Sequence, residues 1–296
     1  MTLSVQPFFV DADGASSQSA DTAPSSTALR TRRRWRSILS QRLGRLLPPT
    51  ILGVGLLTAW QLYVTIAKVN STVLPSPARV ATAGWKDRQE LWDNMIPTLQ
   101  ETLLGFTLSI TLAWLLAVVC DFSKIARRAV EPLLVMSQTI PIVAIAPLFV
   151  IWFGFTMLPK VLVVALVTFF PITVALLRGF ASTADEATSL LVSMGANAVQ
   201  RFVRLRVPTS LPFFFSGLRI SITYAVVGAV FGEYVGAERG LGIYMLLAKN
   251  SRNTDHVLAA VAVTAIVSLA LYFIVSVVEG MALRWERPPT SQVAGS

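Results

Sequence analysis

Apolar positions along this chain fall in six blocks separated by polar, glycine- and proline-rich stretches. The blocks cover residues 51–67, 98–120, 130–151, 158–178, 211–235 and 257–281. Each approaches the roughly 20 residues that a helix needs to cross about 30 Å of hydrocarbon. The pattern predicts an all-α protein, a polytopic membrane bundle of about six transmembrane helices. Between the fourth and fifth blocks lies a long polar segment, 182–209, that is too long for a simple turn and too polar to span.

Composition agrees with this reading. Hydrophobic residues make up 54% of the 296 positions and charged residues only 14%, against about a quarter charged in an ordinary soluble domain. Residues 1–29 are rich in Ser, Ala, Thr and Asp, cannot bury enough apolar surface to offset their ordering entropy, and are predicted to be disordered. A basic run from Arg30 to Arg36 follows. It stands too far from the first apolar block for a signal peptide, and no small-residue cleavage site follows that block, so a retained start helix is expected. The chain thus divides into a basic tail (1–45), a transmembrane domain (46–285, with the loop 182–209) and a short tail (286–296).

The distribution of Lys and Arg orients the bundle. With the N-terminus inside, and charges near block ends counted with the segments they adjoin, the cytoplasmic segments hold sixteen of them and the outer loops eight, while Arg219 lies within the fifth span. The bias places both termini in the cytoplasm of an inner (plasma) membrane. The net charge of +9 is then explained by basic loops meeting anionic lipid, with no nucleic acid required. A single cysteine, Cys120, permits no internal disulfide and no thiolate metal cluster. The lone histidine, His256, reads as a polar loop residue. No cofactor or metal is expected, and no phosphate-binding loop of the form G-x-x-x-x-G-K-[ST] is present, so any nucleotide motor must be a partner.

Prolines and glycines interrupt the middle spans: Pro141 and Pro147 in the third, Pro171 in the fourth, and Gly217, Gly228 and Gly232 in the fifth. Proline frees a backbone carbonyl, which membrane helices tolerate where protein or a water-lined cavity covers the defect. Packing kinks and a lined pathway both account for them. Glu233, near the outer end of the fifth span, is either an interfacial, water-exposed side chain or part of a gate.

The segment 182–209 carries the most information. Leu190, Leu191, Met194, Ala198 and Phe202 recur at helical spacing and form one apolar stripe, with Asn197, Gln200, Arg201 and Arg204 opposite. Gly195-Ala196 breaks the stripe midway, where glycine permits a bend, and Pro208 is expected to end the element. Two short helices bent at Gly195 are predicted, offering an apolar face either to lipid headgroups or to a cytoplasmic partner.

These residues resemble the integral-membrane permeases of ATP-binding-cassette (ABC) importers that work with a binding protein. The hallmark of that family is a cytoplasmic loop with a Glu-Ala-Ala triplet, a glycine six residues after its Glu, and a Leu-Pro ending. Here Gly195-Ala196 and Val207-Pro208 stand at the matching distances. They are followed in the family's order by Leu211-Pro212, Gly217-Leu218-Arg219-Ile220, Gly236-Ala237 and Gly240-Leu241-Gly242. The triplet positions read Ser189-Leu190-Leu191, so the acidic residue is missing; the nearest acids are Asp185 and Glu186.

The resemblance implies a transport subunit without catalysis of its own. It implies two permease copies, two cytoplasmic ABC ATPase subunits and an external solute-binding protein. The ATPase would dock on Ser189, Leu190, Leu191, Met194, Gly195, Ala196, Arg201, Phe202 and Pro208, and the movement would reach pathway or gate positions at Pro141, Pro147, Pro171, Gly228 and Glu233. Within the family, Gly232-Glu233-Tyr234-Val235-Gly236-Ala237 is similar to members carrying thiamine-type pyrimidines and riboflavin. Taurine and sulfonate members tend to have alanines just after the Glu, and nitrate, taurine or alkanesulfonate stand as the alternative solutes. An ion-coupled secondary carrier is a rival class, but it would require intramembrane acids or broken helices in both halves of an inverted repeat, and no such repeat is visible.

Overall fold

The computed structural model describes residues 47–284 apart from 49 and 138, so the predicted tails 1–45 and 286–296 lie outside the described residues. The chain forms two compact units, Met1–Ala59 and Trp60–Ser296. The described residues of the first are mostly apolar, with Thr50 and Thr58 among them, and hold the start of helix α1 (Thr50–Ile66). All that follows concerns the second.

Its elements are helices: α2 (Pro77–Lys86), α3 (Arg88–Phe122), α4 (Lys124–Ser137), α5 (Ile142–Phe153), α6 (Met157–Ala181), α7 (Asp185–Ser193), α8 (Ala198–Arg201), a π-helical turn (Phe202–Arg206), α9 (Val207–Gly236), α10 (Leu241–Asn250) and α11 (Thr254–Ala282). Four of these are long and apolar enough to cross a membrane: Arg88–Phe122, Met157–Ala181, Ala198–Gly236 and Thr254–Ala282. Two of the six predicted spans therefore differ from single long helices. The first is the 17-residue helix Thr50–Ile66. The third, predicted over 130–151, is broken: α4 ends at Ser137, and Pro141, extended at ψ 120°, becomes the cap before α5. Proline's missing N–H and fixed φ suit a helix start better than a helix interior, which is why the chain breaks here.

The core is built on α6 and α9, which share the largest interface, with α3 next. They run antiparallel, and small residues let their backbones approach closely. A Cβ added to Gly179 would meet Ser210, one on Gly217 would meet Ala175, one on Gly228 would meet Val164 and Val167, and one on Gly232 would meet Lys160. Midway, the Ser221 hydroxyl donates to the Thr168 carbonyl at 3.2 Å. By contrast α11 leaves most of its apolar surface open, with Ile266, Leu269 and Phe273 exposed, as suits a helix facing lipid or another chain.

Candidate functional site

Three places along the α6–α9 pair carry chemistry. At one end is the loop between them. Helix α7 stops at Ser193, Gly195 takes φ +80°, and α8 restarts behind a capping box in which the Asn197 and Gln200 side-chain oxygens each accept from the other residue's backbone N–H. The left-handed conformation at residue 195 is the reason for glycine there, since a Cβ would be strained although nothing lies within 4 Å to obstruct it. The predicted bend and the first short helix, α7, are present, whereas the second begins at α8 but does not stop short. Leu190, Met194, Val192, Val199 and Val203 are all exposed, Met194 to 74%. The uncovered apolar face is thus wider than the predicted stripe, whose Leu191 is half-buried.

Pro208 does not end this element. Helix α8 runs through the π turn into α9 without a break, and Pro208 sits in the first turn of α9, where its lack of an N–H is tolerated. The loop is therefore wired directly into α9, one of the two helices at the centre of the core. Two anchors hold the join. Phe202 packs between Phe122 at the end of α3 and Phe180 at the end of α6, at centroid distances of 5.2 and 5.5 Å. Arg206 pairs with Asp121, whose side chain is almost fully buried.

Midway along the pair, a cavity of about 520 Å³ opens between α5, α6 and α9, bordered by Ile142, Ile145, Phe170, Pro171 and Tyr224. Of the predicted pathway residues, Pro171 lines this cavity, Pro141 caps α5 and Pro147 lies within α5. Gly228 is buried against α6, where it serves the close approach of two helices.

At the far end, α9 turns back through Gly240 (φ +140°) into α10. The first backbone N–H groups of α10 have no intrahelical acceptors, and side chains from other helices take them. Gly240 N–H donates to Asn94 Oδ1 at 2.9 Å, Leu241 N–H to Thr98 Oγ1 at 2.9 Å, and Gly242 N–H to Glu233 Oε2. The Thr98 hydroxyl in turn donates to Glu233 Oε1. A Cβ on either Gly240 or Gly242 would collide with the Glu233 carboxylate, which accounts physically for the Gly-Leu-Gly sequence. Glu233 is 0% exposed. The water-exposed reading of this residue is wrong: its carboxylate is the buried cap of α10, held there because an acceptor with two oxygens can serve α3 and α10 together.

Around it lie residues that sequence reasoning missed. Lys160 on α6 pairs with Glu101 on α3 at 3.1 Å, and both are buried. Glu101 was visible as an acid inside an apolar block, the one signal that could have marked it. Beyond α10, Tyr244 donates to Asp87 at 3.0 Å, and Asp87 also accepts from His256 Nδ1. His256 is therefore not a plain loop residue; it sits in the first turn of α11 and ties α11 to the start of α3. Burial pushes the Tyr244 phenol up from its ordinary range, and the Asp87 carboxylate that accepts its proton adds to the push.

Residues 105–284 match the family described as the binding-protein-dependent transport system inner membrane component. Among curated proteins, the formylaminopyrimidine transport permease of Halalkalibacterium halodurans is 36% identical over 81% of this chain and 96% of its own length. The riboflavin transport system permease of Chloroflexus aurantiacus is 36% identical over 78% of this chain and 87% of its own. In fold, the chain resembles the MetNI methionine ABC transporter in inward-facing conformations, with a TM-score of 0.52 at 18% identity over 66% of this chain and 95% of that one. With the bent loop and the packed pair it leads into, these matches establish that the chain belongs to the inner-membrane components of binding-protein-dependent transport systems, the permease subunits of ABC importers.

Proposed function

We propose that this permease carries a flat heteroaromatic solute, a pyrimidine- or riboflavin-like vitamin precursor. The membrane path would run along α5, α6 and α9, and the drive would come from a cytoplasmic ATPase docked on the α7–α8 loop. The observation that carries the coupling reading is the unbroken run from α8 into α9, anchored by Phe202 and Arg206. A push on the exposed face at Val199 and Val203 is delivered to α9 along one unbroken helix, while Leu190 and Met194 extend that face across the Gly195 bend. Ser189, Ala196 and Arg201 border that face, and Asp185 and Glu186 in the first turn of α7 are the acids available to substitute for the one missing at Ser189.

The solute reading rests on two supports. Two relatives, each 36% identical to this chain, are named for formylaminopyrimidine and riboflavin. The cavity beside Pro171 presents the rings of Phe170 and Tyr224, and stacking on aromatic faces suits planar heterocycles better than a tetrahedral sulfonate. A second copy of the chain would complete the path, with both termini cytoplasmic. An external binding protein would deliver solute at the α10 end, where Glu90, Asp93, Glu238 and Arg239 line a recess. ATP hydrolysis belongs to the partner.

Two experiments test this. The tagged chain is co-purified with the ATPase encoded beside it, wild type against Gly195→Arg. Association with wild type and its loss or uncoupling in the variant is expected, and no association in either form removes the docking assignment. Proteoliposomes holding the whole complex are then offered labelled aminopyrimidine, riboflavin, taurine and nitrate. Uptake of taurine or nitrate alone would replace the heteroaromatic assignment with the anion alternative.

A further inference from the structure

Positive charge gathers where α4 begins and α6 ends. Lys124, Arg127 and Arg128 lie in the first turns of α4, just beyond the span that closes at Phe122. Arg178 stands in the last turn of the span Met157–Ala181. Both places are at the end of the bundle from which the α7–α8 loop departs. The only carboxylate on these two helices is Glu131, which pairs with Arg127 at 2.7 Å. Asp121, at the end of α3, is taken by Arg206, and Asp185 and Glu186 on α7 pair with none of the four cations.

Arg127 and Arg178 meet at one recess. It has a volume of about 270 Å³, lies between α4 and α6, and is walled by Val135, Val174 and Leu177 beside Glu131. Arg178 is exposed, and its guanidinium has no ion-pair or hydrogen-bond partner among the described residues. Glu131 engages only Nε of Arg127, so the four terminal N–H donors of that guanidinium are open as well. Planar forks of this kind match phosphate oxygens bidentately. The aliphatic wall continues along α4 as an exposed apolar face at Leu133, Val135 and Met136. A free phosphate has no use for such a wall, and neither has an acidic peptide. A phospholipid uses both parts, because arginines at a span end hold their heads at the headgroups and their stems along the chains.

We propose that the recess between α4 and α6 binds one anionic phospholipid, with its phosphate clasped by Arg127 and Arg178 and an acyl chain lying along Val135 and Val174. The chemistry recognised is a phosphate anion joined to an aliphatic chain. Lys124 and Arg128 add attraction at longer range. On the cytoplasmic placement of the α7–α8 loop, this lipid belongs to the inner leaflet, whose surface is negatively charged.

The purified full chain is examined by native mass spectrometry after incubation in detergent with dioleoylphosphatidylglycerol or dioleoylphosphatidylcholine. Wild type is expected to retain one phosphatidylglycerol in preference to phosphatidylcholine. Arg178→Gln should weaken that retention roughly fivefold, the loss of one cation's attraction at a membrane surface. Arg127→Gln made together with Glu131→Gln should do the same, and Arg178→Lys should recover part of the binding. Lys249→Gln, on α10 at the other end of α9, controls for general charge and should change nothing. Thermal unfolding gives the second reading. Phosphatidylglycerol should raise the melting temperature of wild type and Lys249→Gln more than that of Arg178→Gln, and melting without lipid identifies a variant that merely folds poorly. Inorganic phosphate as competitor separates the two sources of the anion. Equal retention of both lipids, unchanged retention in Arg178→Gln, or displacement of phosphatidylglycerol by inorganic phosphate would each overturn the proposal, the last in favour of a free-phosphate site. An Arg178→Gln chain that keeps its lipid but loses its ATPase would overturn it in favour of a protein contact. None of these outcomes bears on which solute is carried.

Discussion

Thr98 shows how much rests on single side chains near α10. Its hydroxyl accepts from the Leu241 N–H and donates to Glu233, and it is buried. Thr98→Val keeps the shape and removes both partners, leaving one donor and one acceptor unsatisfied at about 1–3 kcal/mol each. Chemical or thermal unfolding in detergent should register a loss of that order, and a loss below about 1 kcal/mol would mean that water replaces the hydroxyl. Gly242→Ala acts differently, since its Cβ would strike Glu233 and the Val230 carbonyl; overpacking of this kind costs about 1–3 kcal/mol and should appear as poor yield of folded protein. At Tyr244 the effect is one of pH. Its phenol is pushed above its ordinary value, so the stability it contributes is fully present below about pH 10 and lost only as pH rises further. Tyr244→Phe should flatten the alkaline limb of a stability–pH curve while leaving its neutral region nearly unchanged in slope.

At the scale of elements, Gly195 separates loop from fold. Its φ of +80° costs a non-glycine residue about 1–2 kcal/mol, yet no neighbour obstructs a side chain there. Gly195→Ala should therefore leave the melting of the bundle within error of wild type while lowering solute-stimulated ATPase activity of the assembled complex. A fall in bundle stability instead would place the loop within the core. The sequence made this bend readable because backbone demand and residue type coincide at one position, and it made the long spans readable because their apolar runs are continuous. Other features escaped it. The break at Pro141 and the continuity through Pro208 are both proline effects, and which one interrupts a helix depends on whether neighbours satisfy the freed carbonyls. That is a tertiary question. The Glu101–Lys160 pair and the Asp121–Arg206 pair join helices distant in sequence, so no local pattern announces either. Glu233 was visible as an acid, but its burial comes from α10 folding back over it.

For the whole molecule, the decisive geometry is the separation of the loop from α10 by the length of α9. Thirty residues at 1.5 Å per residue span about 45 Å, enough to cross the hydrocarbon and reach both headgroup layers. A subunit built this way can be pushed at one face and respond at the other only if the helix between moves as a rod. The glycine-lined contact with α6 favours that, because close-packed helices shift together. The same geometry fixes a topology test. Cys120, the single cysteine, is buried and should be poorly reactive, so single cysteines can be introduced with little background. In sealed cells, Glu238→Cys near the start of α10 should react with a membrane-impermeant maleimide. Met194→Cys should react only after the membrane is opened or in inverted vesicles. Reaction of both from the same side would show that α9 does not cross, and the coupling of loop to gate along it would fall with that result. Reaction with sides exchanged would preserve the rod but reverse the orientation inferred from lysine and arginine, placing the exposed face of α7 and α8 where no cytoplasmic ATPase could reach it.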